Sequence, residues 1–476
     1  MSETIGEMII PGTYIEVRSE GLIGVSGIGT GNVGVVGTAN RGPVDQVRVL
    51  GSYAEALETF GSYDAWPAVP ADVPKALTLV RALEQAFRGG ANTVYAVRVA
   101  DTGDAAMAST TWVVQTGAAK DAFTLTATSP GTWANAVQAR LETEGSPATS
   151  ATLTLTLGRV KESFSAATAE ALAAQVNEGS RFVAAGAVAA AEKSKVPSGV
   201  AAPTAVTTDG SPIGTAQLAG GLALLANQPV NIVVAGGFDA KTAAGTVLAH
   251  LEATENDGRE RIAVLGASTD TPADIISNDS SKGSNPRLVL VAPGIVADDA
   301  ARTGANRRVR LPAPYAAALV AGKMSTLAPH VSLTNKDVPA DGLTREYTRA
   351  EQKQLLGSQV MVLVPNLGIR VLKGITTDTG AFRQVSVRRV VDYAKAGVRL
   401  GSNPYIGRLN NVRVRAALKA TLDGFLSGMV LDEMLTGYTL DVSATRAQEI
   451  TGQAVVTMTL QPTFSIDFVK VIMNLQ

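Results

Sequence analysis

The chain has 476 residues, 46% of them hydrophobic and 17% charged, with a formal net charge of −1 and no cysteine. That length is a soft prior of about three domains, with apolar content for large cores and a surface poorer in charge than soluble monomers usually carry. The near-zero charge argues against a whole-chain polyanion binder. The lack of cysteine excludes a disulfide framework and thiolate metal sites, and no run of about 18 apolar residues offers a membrane span.

Residues 1–23 read as an arm. Met1 to Arg18 carries three Glu and only short apolar runs, so no signal peptide is expected. Pro11-Gly12 is a turn signal, and Ile15 and Val17 alternate with Tyr14, Glu16 and Arg18 as a short strand without a hairpin partner. In the Gly-rich stretch 24–42, Gly29, Gly31 and Gly34 satisfy the dinucleotide fingerprint. That motif works when a helix follows it, and here the apolar run Val33 to Gly37 reads as a strand instead. A nucleotide-dependent enzyme using loop 24–42 is therefore only the alternative reading.

Residues 24–101 continue as the first part of an α/β core. Ser52 caps a helix from Tyr53 to Phe60 with Gly61 as its stop, a second helix carries Val80, Leu83 and Phe87, and Val94 to Val99 is a strand. Composition then shifts to Ala, Thr and Ser with short alternating runs, which predicts an inserted β-rich outer domain over 102–210 with one helix from Phe164 to Val176. Residues 211–356 return to the α/β pattern. Continuous apolar strands such as Ile232-Val-Val and Leu288-Val-Leu-Val predict a mostly parallel sheet with helices on both faces. The Ala-rich helix after Pro312 and Pro314 implies close helix packing. Residues 357–476 read as an α+β domain that would also take in the N-terminal arm. A hairpin is expected across Pro365 to Gly368, followed by helices Val387–Leu400 and Asn410–Leu431 and by terminal strands.

Those strands are the most suggestive feature. Val456, Met458 and Leu460 alternate with polar residues; after Pro462, Phe464, Ile466 and Phe468 do the same, and the phase then slips to Val469, Val471, Met473 and Leu475. So long an apolar strand needs edge partners from earlier segments or from another subunit. A second feature is charge: from Ala381 to Lys419 there are nine basic residues against the single acid Asp392. Few aromatics accompany them, so base recognition is not expected, and a basic face docking on an acidic protein fits better. Catalytic chemistry is weakly represented. His250 on its amphipathic helix reads as a surface or groove residue and His330 as a loop residue; the acid pairs Asp298-Asp299 and Asp432-Glu433 read as caps or solvated faces. No catalytic, cofactor-binding or metal residue is assigned.

Five stretches, taken in order, resemble one family. P-G-T-Y-I-E-V (Pro11 to Val17), V-G-T-A-N-R-G-P-V (Val36 to Val44) with Phe60-Gly61, S-P-G-T-W-A-N (Ser129 to Asn135), L-P-A-P-Y-A-A-A-L-V-A-G (Leu311 to Gly322) and Y-I-G-R-L-N-N (Tyr405 to Asn411) are similar to stretches of contractile tail sheath proteins. These are found in myophage tails, R-type pyocins and related injection systems. The resemblance implies a structural, non-enzymatic subunit, in a virion tail or a contractile injection particle, assembled in the bacterial host cytoplasm. It would form sixfold rings stacked helically around an inner tail tube and would also meet baseplate and terminator proteins, with no nucleic acid and no membrane insertion. Contraction would need no nucleotide. The resemblance further implies that Ile15, Val17, Phe464, Ile466, Phe468, Val469, Val471, Met473 and Leu475 link neighbouring subunits as strands. Arg388, Arg389, Lys395, Arg399, Arg413 and Arg415 become candidates to touch the tube.

Overall fold

The computed structural model describes residues 27–66, 77–101, 109–117, 119–203, 207–210, 213–279, 283–302 and 307–474. They divide into two compact units: Gly29–Arg389 with 464–474, and Val390–Thr463 with 27–28. The N-terminal strand residues Ile15 and Val17, and Leu475, lie outside the described residues.

The larger unit begins with β1 (Val33–Gly37), β2 (Val47–Leu50), α1 (Tyr53–Phe60), α2 (Leu79–Arg88) and β3 (Val94–Arg98). Ser52 caps α1 as its spacing predicts, its hydroxyl accepting from the Glu55 N–H, and Gly61 closes the helix at φ 77°. A β-rich stretch follows: β4 (Thr111–Thr116), β5 (Lys120–Ala127), β6 (Gln138–Glu144), β7 (Ser150–Leu157), β8 (Val160–Ala166), α3 (Ala169–Gly179), β9 (Val183–Ala185) and β10 (Pro197–Ala201). It forms two antiparallel sheets, β10-β4-β5-β9 and β6-β7-β8, around Trp112, Phe123, Leu153, Leu155, Leu172 and Phe182. The single helix expected over Phe164–Val176 is corrected here. Phe164 pairs with Leu153 in the β7–β8 ladder, and the helix starts only after Thr168, whose hydroxyl caps the Ala171 N–H. Cross-strand pairing overrides the helical spacing of the apolar residues.

The turn Ser129 to Asn135 seats this stretch on the core. Ser129 Oγ accepts from the Gly42 N–H at 2.9 Å, and buried Arg98 donates to the carbonyls of Gly42 and Pro130 at 2.6 and 2.9 Å. Gly131 sits at φ 131° with Asn40 O only 2.0 Å from where a Cβ would stand, so a side chain is excluded both by conformation and by space.

The core resumes with α4 (Thr215–Leu225), β11 (Ile232–Asp239), α5 (Ala240–Asn256), β12 (Ile262–Gly266), α6 (Pro272–Asp274), β13 (Leu288–Ala292), β14 (Ile295–Asp298), β15 (Arg308–Leu311), α7 (Ala313–Ser325), β16 (Asp337–Val338), β17 (Gly342–Leu343), α8 (Arg349–Gly357), β18 (Val360–Pro365) and β19 (Ile369–Val371). Among the described residues nine strands form one sheet, ordered β16-β19-β18-β13-β12-β11-β1-β3-β2. The run from β18 to β3 is parallel throughout. One face packs against α2 and α7 and the other against α4, α5 and α8, which is why these strands are apolar on both sides. The expected start of a C-terminal domain at 357 does not hold for the sheet. Strand β18, with Val360 to Leu363 fully buried, is hydrogen-bonded to β13 as a core strand, and β19 pairs with it as the expected hairpin.

The division between the units falls inside α9 (Val385–Ser402). The smaller unit contains the rest of that helix, α10 (Val412–Leu431), β20 (Leu435–Ser443), α11 (Arg446–Ile450) and β21 (Val455–Pro462). Val390, Ala394, Leu426, Met429, Met434 and Leu435 form its core. Gly397 lets α9 approach α10 closely: a Cβ there would fall 1.9 Å from Phe425 Cζ.

Candidate functional site

Three surface elements carry the sequence-predicted site residues. The first is the segment 464–474. It forms no strand among the described residues, and Phe464, Ile466, Phe468, Val469, Val471 and Met473 are between 62% and 85% exposed. The expectation of a terminal strand is therefore met only as far as Pro462. Beyond it the apolar alternation has no ladder within this chain. Exposure of this many large apolar side chains on one short segment is the signature of a surface awaiting a partner.

The second element is the two-stranded sheet β20-β21. It pairs Val442 with Val456 and Leu440 with Met458 in one antiparallel register. Tyr438 braces it on α10: its hydroxyl donates to Asp423 Oδ1 at 2.7 Å and lies 2.8 Å from Ser427 Oγ. Each of the two strands keeps one edge unpaired among the described residues, a template for a further strand.

The third is the basic stretch on α9 and α10, and here the structure corrects the expectation of one exposed face. Arg389 is buried and donates to the carbonyls of Leu327, Ala328 and Thr30; burial holds its pKa down to about 10. Arg388 is buried with its guanidinium 4.3 Å from the Phe382 ring centroid. Arg415 is tied to Glu449 at 2.9 Å and to Asn410 Oδ1 at 2.8 Å. Lys395 is half-buried, and Arg399 and Arg413 are exposed. Beside Arg413, the connection between the helices exposes Ile406, Leu409 and Val412, each more than 70% accessible.

The remaining candidates resolve into structural roles. The glycines of the fingerprint lead into strand β1, not a helix, and a Cβ on Gly34 would meet Val230 Cγ1 at 2.9 Å and Leu225 Cδ1 at 3.0 Å. They serve close packing. His330 is half-buried in its loop. Asp298 is exposed at the end of β14, whereas Asp299, read as a cap or solvated acid, is wholly buried against Arg81. Asp432 is the C-cap of α10, and Glu433 stands exposed beside it. No group of three or more metal-ligating side chains occurs among the described residues, and none of their helices is long and apolar enough to cross a membrane.

His250 also departs from expectation, because its helix face meets β12 and not solvent. Its Nε2 accepts from Arg261 Nη1 at 2.9 Å in a buried site, and burial, reinforced by the Arg261 charge, lowers its pKa from 6.5 to about 4. The unfolded chain thus takes up the proton first. The stability this neutral imidazole contributes is complete above about pH 6.5 and is lost as pH falls toward 4, at up to about 1.4 kcal/mol per pH unit. His250→Gln, which keeps an acceptor for Arg261, is expected to flatten the acid limb of urea-unfolding stability between those values. An unchanged limb would assign the acid sensitivity to other groups.

Comparison with known proteins bears on this arrangement directly. Residues 377–476 match the family model of the phage tail sheath C-terminal domain. No curated protein sequence matches the chain. Among solved structures, the sheath tail protein of Desulfitobacterium hafniense superposes with a TM-score of 0.64 at 16% identity, over 95% of this chain and 100% of that one. The sheath tail protein Lin1278 of Listeria innocua gives 0.67 at 14% identity, over 92% and 93%. The helical sheath of the anti-feeding prophage in its contracted state gives 0.58 at 13% identity, over 98% and 99%. The resemblance read from the sequence thus holds at both levels: a tail sheath family domain at the C-terminal end, and the fold of contractile-system sheath proteins along nearly the whole chain.

Proposed function

We propose that this chain is the structural sheath subunit of a contractile tail or injection particle. Copies stack as hexameric rings around an inner tube and contract without nucleotide hydrolysis to drive the tube through a target envelope. The observation that carries this reading is the exposed apolar segment 464–474 in a chain whose β20-β21 sheet has unpaired edges. The segment of one copy adds to the sheet of another. Burying each large apolar side chain contributes about 1.5–3 kcal/mol, and several together exceed the ordering cost of a short strand, about 1–2 kcal/mol per residue. Such links keep subunits joined while rings rearrange. The N-terminal strand Ile15 and Val17 would join the same sheets.

The inner tube is a partner of acidic character, met by Arg399, Arg413 and Lys395 and by the exposed Ile406–Val412 connection. Arg388, Arg389 and Arg415 hold the helices in place for that contact. Baseplate and terminator proteins cap the two ends of the assembly, which forms in the bacterial cytoplasm and ends in a virion or an injection particle. Matching structures come from a helical sheath and a baseplate of the anti-feeding prophage, which supports self-association and a place beside a baseplate.

Negative-stain electron microscopy of the purified full chain, beside a version ending at Pro462, tests the reading. Striated tubes are expected from the full chain and only discrete particles from the truncation, with the thermal midpoint of the truncated chain little changed because the removed side chains are already exposed. Tubes from both versions would remove the linking role of segment 464–474. Discrete particles from both under all assembly conditions would remove the sheath reading.

A further inference from the structure

One residue of the exposed segment behaves unlike its neighbours. The Asp467 side chain is only 10% exposed and sits 3.0 Å from Lys373 Nζ, itself 15% exposed. Its Oδ2 also accepts from Gln384 Nε2 at 3.4 Å. Its Oδ1 accepts from Thr334 Oγ1 at 3.3 Å and from Ser465 Oγ at 3.2 Å. A second contact ties the same root, the Ser465 N–H donating to Gln384 Oε1 at 3.4 Å. Lys373 Nζ in turn lies 4.9 Å from the Phe468 ring centroid.

The bed is built by the larger unit and does not depend on the segment. Thr334 Oγ1 accepts from the Gly374 N–H at 3.0 Å, Gln384 bridges Ile375 in a short antiparallel contact, and Gly374 stands so close to Leu333 that a Cβ would lie 3.0 Å from its Cβ. Three separate stretches, around 332–334, 373–375 and 384, thus converge on one carboxylate in the middle of an apolar alternation. A largely desolvated, hydrogen-bonded ion pair holds geometry far better than an exposed one.

We infer that Asp467 is a positioning residue: it clamps the root of the arm to its own core and so fixes the register in which residues 468–474 are offered to a second copy of this chain. This rests on the sheath reading for the identity of the receiving partner, but the clamp itself does not. From an anchored residue 467, the two-residue period places Val469, Val471 and Met473 on one face and Phe468, Lys470 and Ile472 on the other. A slip of one residue would exchange the faces, and Lys470 would be pressed into the receiving sheet in place of an apolar side chain. The clamp removes that alternative before the subunits meet.

The absence of native cysteine allows a direct test in the full chain. Spin labels at Val471→Cys and Leu367→Cys, the latter on an exposed turn of the same unit, report the arm's distance distribution by pulsed electron resonance below the assembly concentration. Asp467→Asn and, separately, Lys373→Met are expected roughly to double its width, since both release the backbone freedom of the root. In the unlabelled chain Asp467→Asn should raise the concentration needed for tubes by about tenfold, the effect of losing one charge-assisted contact. Unchanged widths would overturn the clamp. Broadened widths with unchanged assembly would overturn its role in register. Failure of the parent chain to form tubes would count against the sheath reading, while the distance distributions would still decide the clamp.

Discussion

Gly322→Ala is expected to destabilise the larger unit by about 3 kcal/mol or more, at the upper end of what overpacking costs. The added methyl would stand 2.0 Å from the carbonyl oxygen of Ala86 and 2.9 Å from its carbon. Opposite it, Gly89 brings its own backbone 2.3 Å from the position a Cβ would need beside Leu319 O. Helices α2 and α7 therefore cross in backbone contact. The obstacle on each side is main chain, which cannot rotate away as a side chain can, so the helices must separate. Separation would spread through α7, whose residues from Ala313 to Gly322 are all buried, and through the sheet strands beneath it. Urea unfolding followed by circular dichroism checks the expectation: the midpoint falls with little change in slope. A control at Gly220, where a Cβ meets nothing within 4 Å, should be neutral or slightly stabilising, as Gly→Ala in a helix usually is.

This crossing was half legible in the sequence. An Ala-rich helix behind Pro312 and Pro314 has no large side chains to hold a neighbour at distance, so close packing followed from composition alone. The partner helix did not, because Gly89 reads locally only as a helix stop. The same contrast runs through the candidate site. Period-two alternation located the exposed segment 464–474, since alternation survives whatever the strand pairs with. The basic residues between Arg383 and Lys419 were misjudged as one face, because charge counting cannot see the carbonyls of Leu327 and Ala328 that surround Arg389. His250 failed in the same way: its helix stripe was visible, but not the Arg261 that the next strand sets against it. Asp467 did leave a signal, a carboxylate within an apolar alternation, whose meaning depended on Lys373 far away in the chain.

Asp299→Asn is expected to cost about 3–5 kcal/mol, the penalty for leaving a buried charge without its counter-ion. The carboxylate is entirely enclosed, and the Arg81 guanidinium 3.5 Å away is almost as deeply buried. Arg81 has little else to rely on. Its Nη2 donates to Asp64 O at 2.7 Å, and the rings of Tyr63 and Trp66 flank it at 4.0 and 5.2 Å. Asparagine retains the size but removes the charge. It also turns one of the two oxygens into a donor, and both now accept main-chain N–H groups, from Trp66 at 2.6 Å and from Ala301 at 3.0 Å. One of those amides must then face a donor. Arg81→Met alone should be damaging for the opposite reason, because it strands the Asp299 charge. The double variant removes both charges together and should recover part of the loss, with a coupling of about 0.5–3 kcal/mol between contacting sites. Four unfolding curves, for the parent, the two single variants and the double variant, measure that coupling. Strictly additive losses would mean that Asp299 acts through its main-chain hydrogen bonds, and that the ion pair joining α2 to the end of β14 contributes nothing of its own.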